Sequence, residues 1–494
     1  MRKKIGNKFI SLSVSTPDGK DLAQRLQLLV WTYLDGTRSH DSASETIDLA
    51  AFMLYCSYVS RNADDFGLDD FDFDYSIDAA LDNLGNKYLA TDFIGYYAGL
   101  HAQNPILLDL KGASFRSRDL SKAITSWASL LDASGLSLLE DSKFGSARAI
   151  EAVLADAMTA DIWGRGAGQF TSPIPIAEAV ARLANVEGKN VLDFACGNGI
   201  YLATALMHGA KSVCGRDCDV NAVTRASILC FFADPSRTHN ISVANALMAN
   251  PAAKPTQKVL VAPPLGVPLR DYDVPDKNYY AATLDELIGE GSPRPQKLED
   301  FCVAKALASL EDDGIAVLHV STSFLFHQQR GREAVRRAIV EKGYLRAVIE
   351  LPGGCIPGSS VKSALLVLRK APTDEGVLII DFDSKEIADE GYVVKGRGKC
   401  EITEAGIDWL VKTVENREET ALVSTVADRE AILSSGSNLC YSAYGSVYDF
   451  QSVLDQTRST ADIVGDIQTA RTAVENLGTQ IDGLLIALDM DGGR

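Results

Sequence analysis

At 494 residues, with 46% hydrophobic and 23% charged side chains, the chain is long enough for two to four domains and too apolar for a disordered one. Its formal charge of −18 excludes a protein that grips duplex nucleic acid through a broad basic face, so any such contact is local or delegated to a more basic partner. No stretch approaches the roughly 18 apolar residues of a membrane span, and the basic start MRKKIGNKF lacks the apolar run of a signal peptide. The expected location is therefore the cytoplasm, with no membrane partner.

Residues 1–160 read as a helical N-terminal domain. Helical periodicity runs through Leu22 to Leu34, Thr46 to Val59 and Ala147 to Met158. Between them lies an acidic-aromatic run in which Asp64, Asp65, Asp69, Asp70, Asp72, Asp74, Asp78 and Asp82 interleave with Phe66, Phe71, Phe73 and Tyr75. Its Asp70-x-Asp72-x-Asp74 start resembles a calcium loop, but Tyr75 replaces the required glycine and Leu81 the closing glutamate. A solvated face or a protein-contact loop fits better.

After Gly164, short β-branched runs alternate with helices over 161–375. Expected strands are Asn190 to Cys196, Lys211 to Asp217, Ile241 to Ala246, Lys258 to Ala262, Ile315 to Ser321, Arg346 to Pro352 and Ser363 to Lys370. Such alternation predicts an α/β fold with a doubly wound, mostly parallel Rossmann-like sheet. The last two strands, joined by PGGCIPGSS, are expected as an antiparallel pair at the end of the sheet. Residues 376–445 form a mixed extension with one strand from Gly376 to Phe382. In 446–494, Ile463, Ile467, Ala470, Val474, Leu477, Ile481, Leu484 and Leu488 make a heptad seam. It reads as a coiled-coil helix for subunit contact, or as an amphipathic helix folded back on its own domain.

The chemistry concentrates at Asp193-Phe194-Ala195-Cys196-Gly197-Asn198-Gly199, between a strand and a helix. Glycines at 197 and 199 let the backbone turn sharply near a ligand, and Asp193 can accept a hydrogen bond from a ligand ammonium. Asp217 ends the next strand, where a nucleotide-type βαβ unit places its ribose-binding acid; Asp219 is the nearby alternative. Ile200 and Leu202 follow where GxGxxG would continue, which disfavours a pyrophosphate and favours the nucleoside cofactor S-adenosylmethionine. Upstream, Gly168-Gln169-Phe170-Thr171-Ser172-Pro173 precedes a helix. Downstream, Val261-Ala262-Pro263-Pro264-Leu265-Gly266 leaves a strand and forms a rigid rim. The six histidines form no ligand-spaced pair and the nine cysteines no CxxC pair, so reduced thiols and no metal are expected. The basic segment with Arg330, Arg332, Arg336, Arg337, Lys342 and Arg346 is read as a solvated helical face, with phosphate contact as the alternative.

In this order the motifs resemble the amino-methyltransferases of DNA, specifically the methylation subunit of type I restriction-modification systems, over about 145–445. That family has G-Q-F-(F)-T-P, D-x-A-x-G-x-G, a ribose acid and N-P-P-F, then segments matched by Ala316 to Phe326, Val348 to Gly353, Leu365 to Lys370 and Asn438 to Gly445. The resemblance implies a methyltransferase core at 161–375 and S-adenosylmethionine held by Gln169, Phe170, Thr171, Pro173, Asp193, Ala195, Gly197, Gly199, Asp217 and Asn245. It implies N6 methylation of adenine in DNA within a restriction-modification or phage-defence complex. A specificity subunit supplies most of the DNA contact, beside a second methyltransferase or a nuclease subunit.

The sequence departs from that pattern at the catalytic tetrapeptide Ala262, Pro263, Pro264, Leu265. The family's asparagine side chain and the next carbonyl accept the flipped base's amino hydrogens, and the aromatic fourth residue stacks on the ring. Ala262 has no acceptor and Leu265 no π face. Asn245 stands where the family has aspartate. Two readings follow: a methyltransferase with an impaired motif, or a catalytically inactive scaffold that binds cofactor and partner subunits. Methylation of RNA or of a protein glutamine is a third, disfavoured by the helical N-terminal domain.

Overall fold

Buried Leu22, Leu26, Leu29, Val30 and Tyr33 recur at helical spacing on α1 (Pro17–Thr37), leaving Arg25 and Leu28 outside. The structure, a computed structural model, describes residues 17–37, 43–69, 71–72, 76, 89–110, 120–133, 145–159, 172–249, 254–269, 274–356, 359–396, 399–445, 468 and 472. α2 (Ala43–Arg61) is buried almost all round, and α3 (Leu89–Gly99), α4 (Leu120–Ala133) and α5 (Gly145–Thr159) complete the described N-terminal helices. In the acidic-aromatic run, Asp64, Asp65, Asp69 and Asp72 face water, while Phe66 packs inward against Tyr58 and Phe231 and Phe71 against Tyr96. Asp70, Phe73, Asp74, Tyr75, Asp78 and Asp82 lie outside the described residues.

From Pro173 onward the chain builds one nine-stranded sheet. α6 (Ile174–Ala184) precedes β1 (Asn190–Asp193); α7 (Ile200–Met207) leads to β2 (Ser212–Asp217) and α8 (Val220–Ala233) to β3 (Asn240–Val243). Then come β4 (Thr256–Val261), α9 (Lys277–Ile288), α10 (Leu298–Ser309), β5 (Leu310–Ser321), the short α11 (Ser323–Phe326), α12 (Arg330–Glu341), β6 (Leu345–Leu351) and β7 (Ser363–Arg369). With β8 (Val377–Asp381) and β11 (Ser424–Ala427) from the extension, the strand order is β11-β8-β6-β7-β5-β4-β1-β2-β3. β1 to β6 and β8 run in one direction; β7 and β11 run against them. Both faces are covered: Val259 and Val261 enter one apolar cluster, Leu260 and Ala262 the other. The doubly wound, mostly parallel expectation therefore holds.

One placement differs. β6 and β7 do pair antiparallel, yet they are internal to the sheet rather than at its end. β8 (Val377–Asp381) pairs parallel with β6, and β11 (Ser424–Ala427) closes the edge antiparallel to β8. The sheet thus runs through position 375, because the apolar VLIID segment buries its side chains on β6. The extension also adds α13 (Lys385–Asp389), a separate hairpin β9 (Val393–Gly396)–β10 (Lys399–Ile402), α14 (Glu404–Asn416) and α15 (Arg429–Ser434). These strands are four residues each, with Val394 and Lys395 exposed on β9, and escape a reading based on apolar runs. The chain divides into units 1–444 and 445–494. The heptad seam from Ile463 to Leu488 lies outside the described residues.

Candidate active site

Strand order reverses between β1 and β4, where ligands of doubly wound sheets sit at the carboxyl ends. The glycine loop leaves β1 there, and Ala262 to Leu265 leave the adjacent β4. β2 ends at Asp217, and β3 runs out toward Asn245. The fold so brings Asp193, Ala195, Gly197, Gly199, Asp217, Asn245 and Ala262 to Leu265 to one edge.

Local bonding explains the loop's shape. Asp193 Oδ1 accepts from the Ala195 amide at 2.9 Å, and the Cys196 amide donates to the Arg216 carbonyl at 2.9 Å. Asp217 Oδ2 accepts from Gly197 N and Oδ1 from Asp219 N, both at 2.9 Å. Gly197 (φ 50°) and Gly199 (φ 82°) lie in the left-handed region. A Cβ at 197 would meet open space, whereas one at 199 would lie 2.7 Å from Ala226 Cα. The first glycine is an open approach and the second a close helix contact. Asp219 caps α8 by accepting from Asn221 N. Asn245 accepts from Leu247 N at 2.8 Å, and the Ala244 amide donates to the Asp217 carbonyl at 2.8 Å. Lys305 on α10 ties two exits together: its Nζ donates to the Ala246 carbonyl at 2.5 Å and lies 5.2 Å from the Phe194 ring.

Electrostatics define what can bind. Asp193 is 2% exposed, and burial pushes its carboxyl well above the usual range; the Ala195 amide opposes that rise and the Asp217 charge adds to it. Two carboxylates stand at the ends of neighbouring strands. A cationic ligand offsets their desolvation, whereas a pyrophosphate compounds it.

The tetrapeptide is held from below. Glu299 on α10 is fully buried and accepts from Ser321 Oγ (2.6 Å), Ser321 N (3.0 Å), Gly266 N (3.4 Å) and Arg332 (2.6 Å). Arg332 also donates to Asp300 at 2.8 Å and to Ser323 Oγ at 2.9 Å. Burial raises the Asp300 carboxyl to about 6 against the lowering effect of Arg332. Lys297 Nζ reaches the Gly266 carbonyl at 2.5 Å. This corrects the reading of the basic helix α12. Arg332 and Arg336 face neither water nor phosphate: they are buried, with Arg336 donating to the carbonyls of Ser437, Phe324 and His327. A guanidinium in the interior needs such partners, and the carboxylates and carbonyls supply them. Nothing in the spacing of α12 separates these two arginines from their exposed neighbours. The acidic pair Glu299-Asp300 inside the apolar run LEDFCVAKALAS is the one available signal.

Ala262 packs into the apolar cluster shared with the N-terminal helices. The β4–β5 register pairs Val261 with Leu318, so one step on His319 stands beside Ala262 on the same face. Both of its ring nitrogens are engaged, Nδ1 with Tyr201 Oη at 3.4 Å and Nε2 with Ser363 Oγ at 2.8 Å, and burial lowers it to about 4. It is a neutral internal link and does not replace the missing asparagine. Tyr201 in turn bonds Ser172, which precedes the α6 cap Pro173. Gln169, Phe170 and Thr171 lie outside the described residues.

A family profile described as N-6 DNA Methylase matches residues 147–452, more than half of the chain. The chain belongs to the N-6 DNA Methylase family. Among its relatives, the type I restriction enzyme MpnII methylase subunit of Mycoplasma pneumoniae is 21% identical over 346 residues, covering 64% of this chain and 60% of that protein. The match therefore spans less than two thirds of that relative's length. A type I restriction-modification methyltransferase subunit from Streptococcus thermophilus has a similar fold, with a TM-score of 0.69 at 16% identity, covering 86% of this chain and all of that one. A chain from a study of complex assembly in the type I restriction-modification system gives 0.63 at 15% identity, covering 92% and 97%. At these identities the structural likeness establishes the N-6 DNA Methylase fold, and the site's chemistry rests on its own residues.

Proposed function

We propose that this N-6 DNA Methylase family chain is the methylating subunit of a type I-like restriction-modification or phage-defence complex. It transfers a methyl group from S-adenosylmethionine to N6 of adenine in DNA, slowed by its altered tetrapeptide. The observation that carries this reading is the juxtaposition, at the switch point, of a doubly acidic glycine loop with the Pro263-Pro264 exit of the adjacent strand. S-adenosylmethionine, when bound, supplies an electrophilic methyl on a sulfonium. Asp193 and the Ala195–Gly199 turn receive its amino-acid end, Asp217 its ribose, and Asn245 its base, with Gln169, Phe170, Thr171 and Pro173 completing the pocket. The Pro263 carbonyl remains as an acceptor for the base's amino hydrogens.

The relatives are type I restriction-modification methylase subunits. On that ground we assign DNA as substrate, reached largely through a specificity subunit, with a second methyltransferase or a nuclease subunit as further partner and the cytoplasm as location. The −18 charge suits delegated DNA contact, and the heptad seam in 446–494 is the proposed subunit contact, within the proposed boundaries 1–160, 161–375, 376–445 and 446–494. A second reading, an inactive scaffold that binds cofactor and partners, is favoured by Ala262, whose half-buried methyl packs against the apolar core and offers no acceptor. Calorimetric titration with S-adenosylmethionine tests what both share: binding that disappears in Asp193→Ala is expected, and a chain that takes up no cofactor contradicts both.

A further inference from the structure

Asp48, Arg225 and Asn198 come from distant parts of the chain and meet in one buried line. Asp48 lies on α2 and Arg225 on α8, 8% and 7% exposed. Arg225 donates through one terminal nitrogen to Asp48 Oδ1 at 2.7 Å and through Nε to Asn198 Oδ1 at 2.7 Å. Asp219, the cap of α8, stands 3.8 Å from the same guanidinium. Asn198 sits between Gly197 and Gly199, and Gly199 presses on Ala226, the residue after Arg225. The cofactor turn thus rests on α8 at the point where Arg225 leaves it.

The surroundings make this line conspicuous. The seam between α2 and α8 is otherwise aromatic: Tyr55 and Tyr58 meet Phe231 and Phe232 edge-on at centroid distances of 5.1 to 6.2 Å. Such pairs hold two helices together without help, each worth about 0.5–1.5 kcal/mol beyond area burial. Burying an ion pair beside them costs several kcal/mol of desolvation per ion and adds little net stability. What it adds is direction, because the guanidinium fork fixes its two acceptors relative to one another.

We infer that the N-terminal helical region is part of the cofactor site: Asp48, through Arg225, holds Asn198 and with it the Gly197–Gly199 turn in the ligand-receiving conformation. Asp48 and Arg225 are positioning residues. The inference rests on the proposed function only for its consequence in cofactor affinity. By linkage, a cofactor that prefers the held turn also strengthens the seating of α2 on α8 by the same factor.

Hydrogen exchange of the full chain without ligand, read by mass spectrometry over residues 194–202, tests the line directly. Asp48→Asn keeps the shape and removes the charge; Asn198→Ala cuts the other end at a partly exposed position. Each is expected to speed loop exchange about tenfold, and the double variant no further, since one line is cut twice. Unchanged loop exchange in Asp48→Asn, or two effects that multiply, overturns the inference. Tyr55→Leu, which removes the ring contact with Phe231 in the same seam but off the line, should leave the loop at the parent rate; if it matches Asp48→Asn, α2 acts by packing alone and the inference fails. Titration with S-adenosylmethionine should then show about tenfold weaker binding in Asp48→Asn, within the usual span of site coupling, and parent-like affinity overturns it. A parent chain that binds no S-adenosylmethionine refutes the cofactor reading, while the exchange result still decides this one.

Discussion

Asp193 is a buried acid whose ionisation burial opposes, so the site's charge depends on pH. Its carboxyl titrates above the ordinary range, and a cationic ligand prefers the ionised form. Cofactor affinity should therefore tighten as pH rises above the ordinary carboxylate range and weaken as it falls back toward it, because burial holds the Asp193 carboxyl protonated to higher pH than a free one. Asp193→Asn should lose both the affinity and that dependence in calorimetry. At the other end of the site, Ala262→Asn with Leu265→Phe restores an acceptor and a ring. A single preorganised polar contact is worth on the order of a hundredfold in rate, and stacking about 1–3 kcal/mol. Steady-state methyl transfer by the double variant should rise by at least the former factor. Equal rates would mean that Ala262 and Leu265 are not what limits the reaction.

These site residues were legible before the fold because each is a local pattern: glycines beside an acid, a Pro-Pro strand exit. The residues that hold them were not. Glu299, Arg332, Arg225 and Asp48 act across 33 to 177 positions of sequence, and apart from the acidic pair Glu299-Asp300 in its apolar run, nothing in their neighbourhoods announces a partner. His319 was equally silent, being one histidine in an apolar strand.

At the scale of elements, α10 is both core helix and site buttress. It buries Phe301, Cys302 and Val303 while presenting Glu299 to β5, α12 and the loop after β4. Glu299→Ala leaves Arg332 buried with Asp300 as its remaining carboxylate, and breaking such a pair costs about 3–5 kcal/mol. Chemical denaturation should show a loss of that order, and a smaller one for Glu299→Gln, which keeps an accepting oxygen. In α5, Glu151 is 5% exposed, and burial lifts it to about 7 against the pull of Arg148. Its folded-state pKa exceeds the ordinary 4.5, so the folded chain binds more protons between those values. Its contribution is fully present below about 4.5 and lost as pH rises through about 7. Glu151→Gln should therefore be more stable than the parent at pH 8, by about 3 kcal/mol at most, and no more stable at pH 5; a gain at pH 5 instead would reverse the sign of this argument. The strands that periodicity announced, β1 to β8, are mostly runs with buried residues, the edge strand β3 being the partly exposed exception. β9 to β11 are four residues each and partly exposed, and only their pairing makes them strands. The parallel pairing of β8 on β6 moves the β6–β7 hairpin from the edge into the sheet.

At the scale of the molecule, the helical N-terminal layer, the switch-point sheet and the strongly negative charge fit one division of labour. In the proposed function the chain would hold the cofactor and the reaction edge, and a partner would find the DNA. The most direct test uses the chain with its specificity subunit, S-adenosylmethionine labelled on the methyl group, and unmethylated DNA. The account predicts slow label transfer to N6 of adenine, abolished by Asp193→Ala. Cofactor bound without any label reaching DNA, with or without Ala262→Asn and Leu265→Phe, would contradict it and leave the scaffold reading.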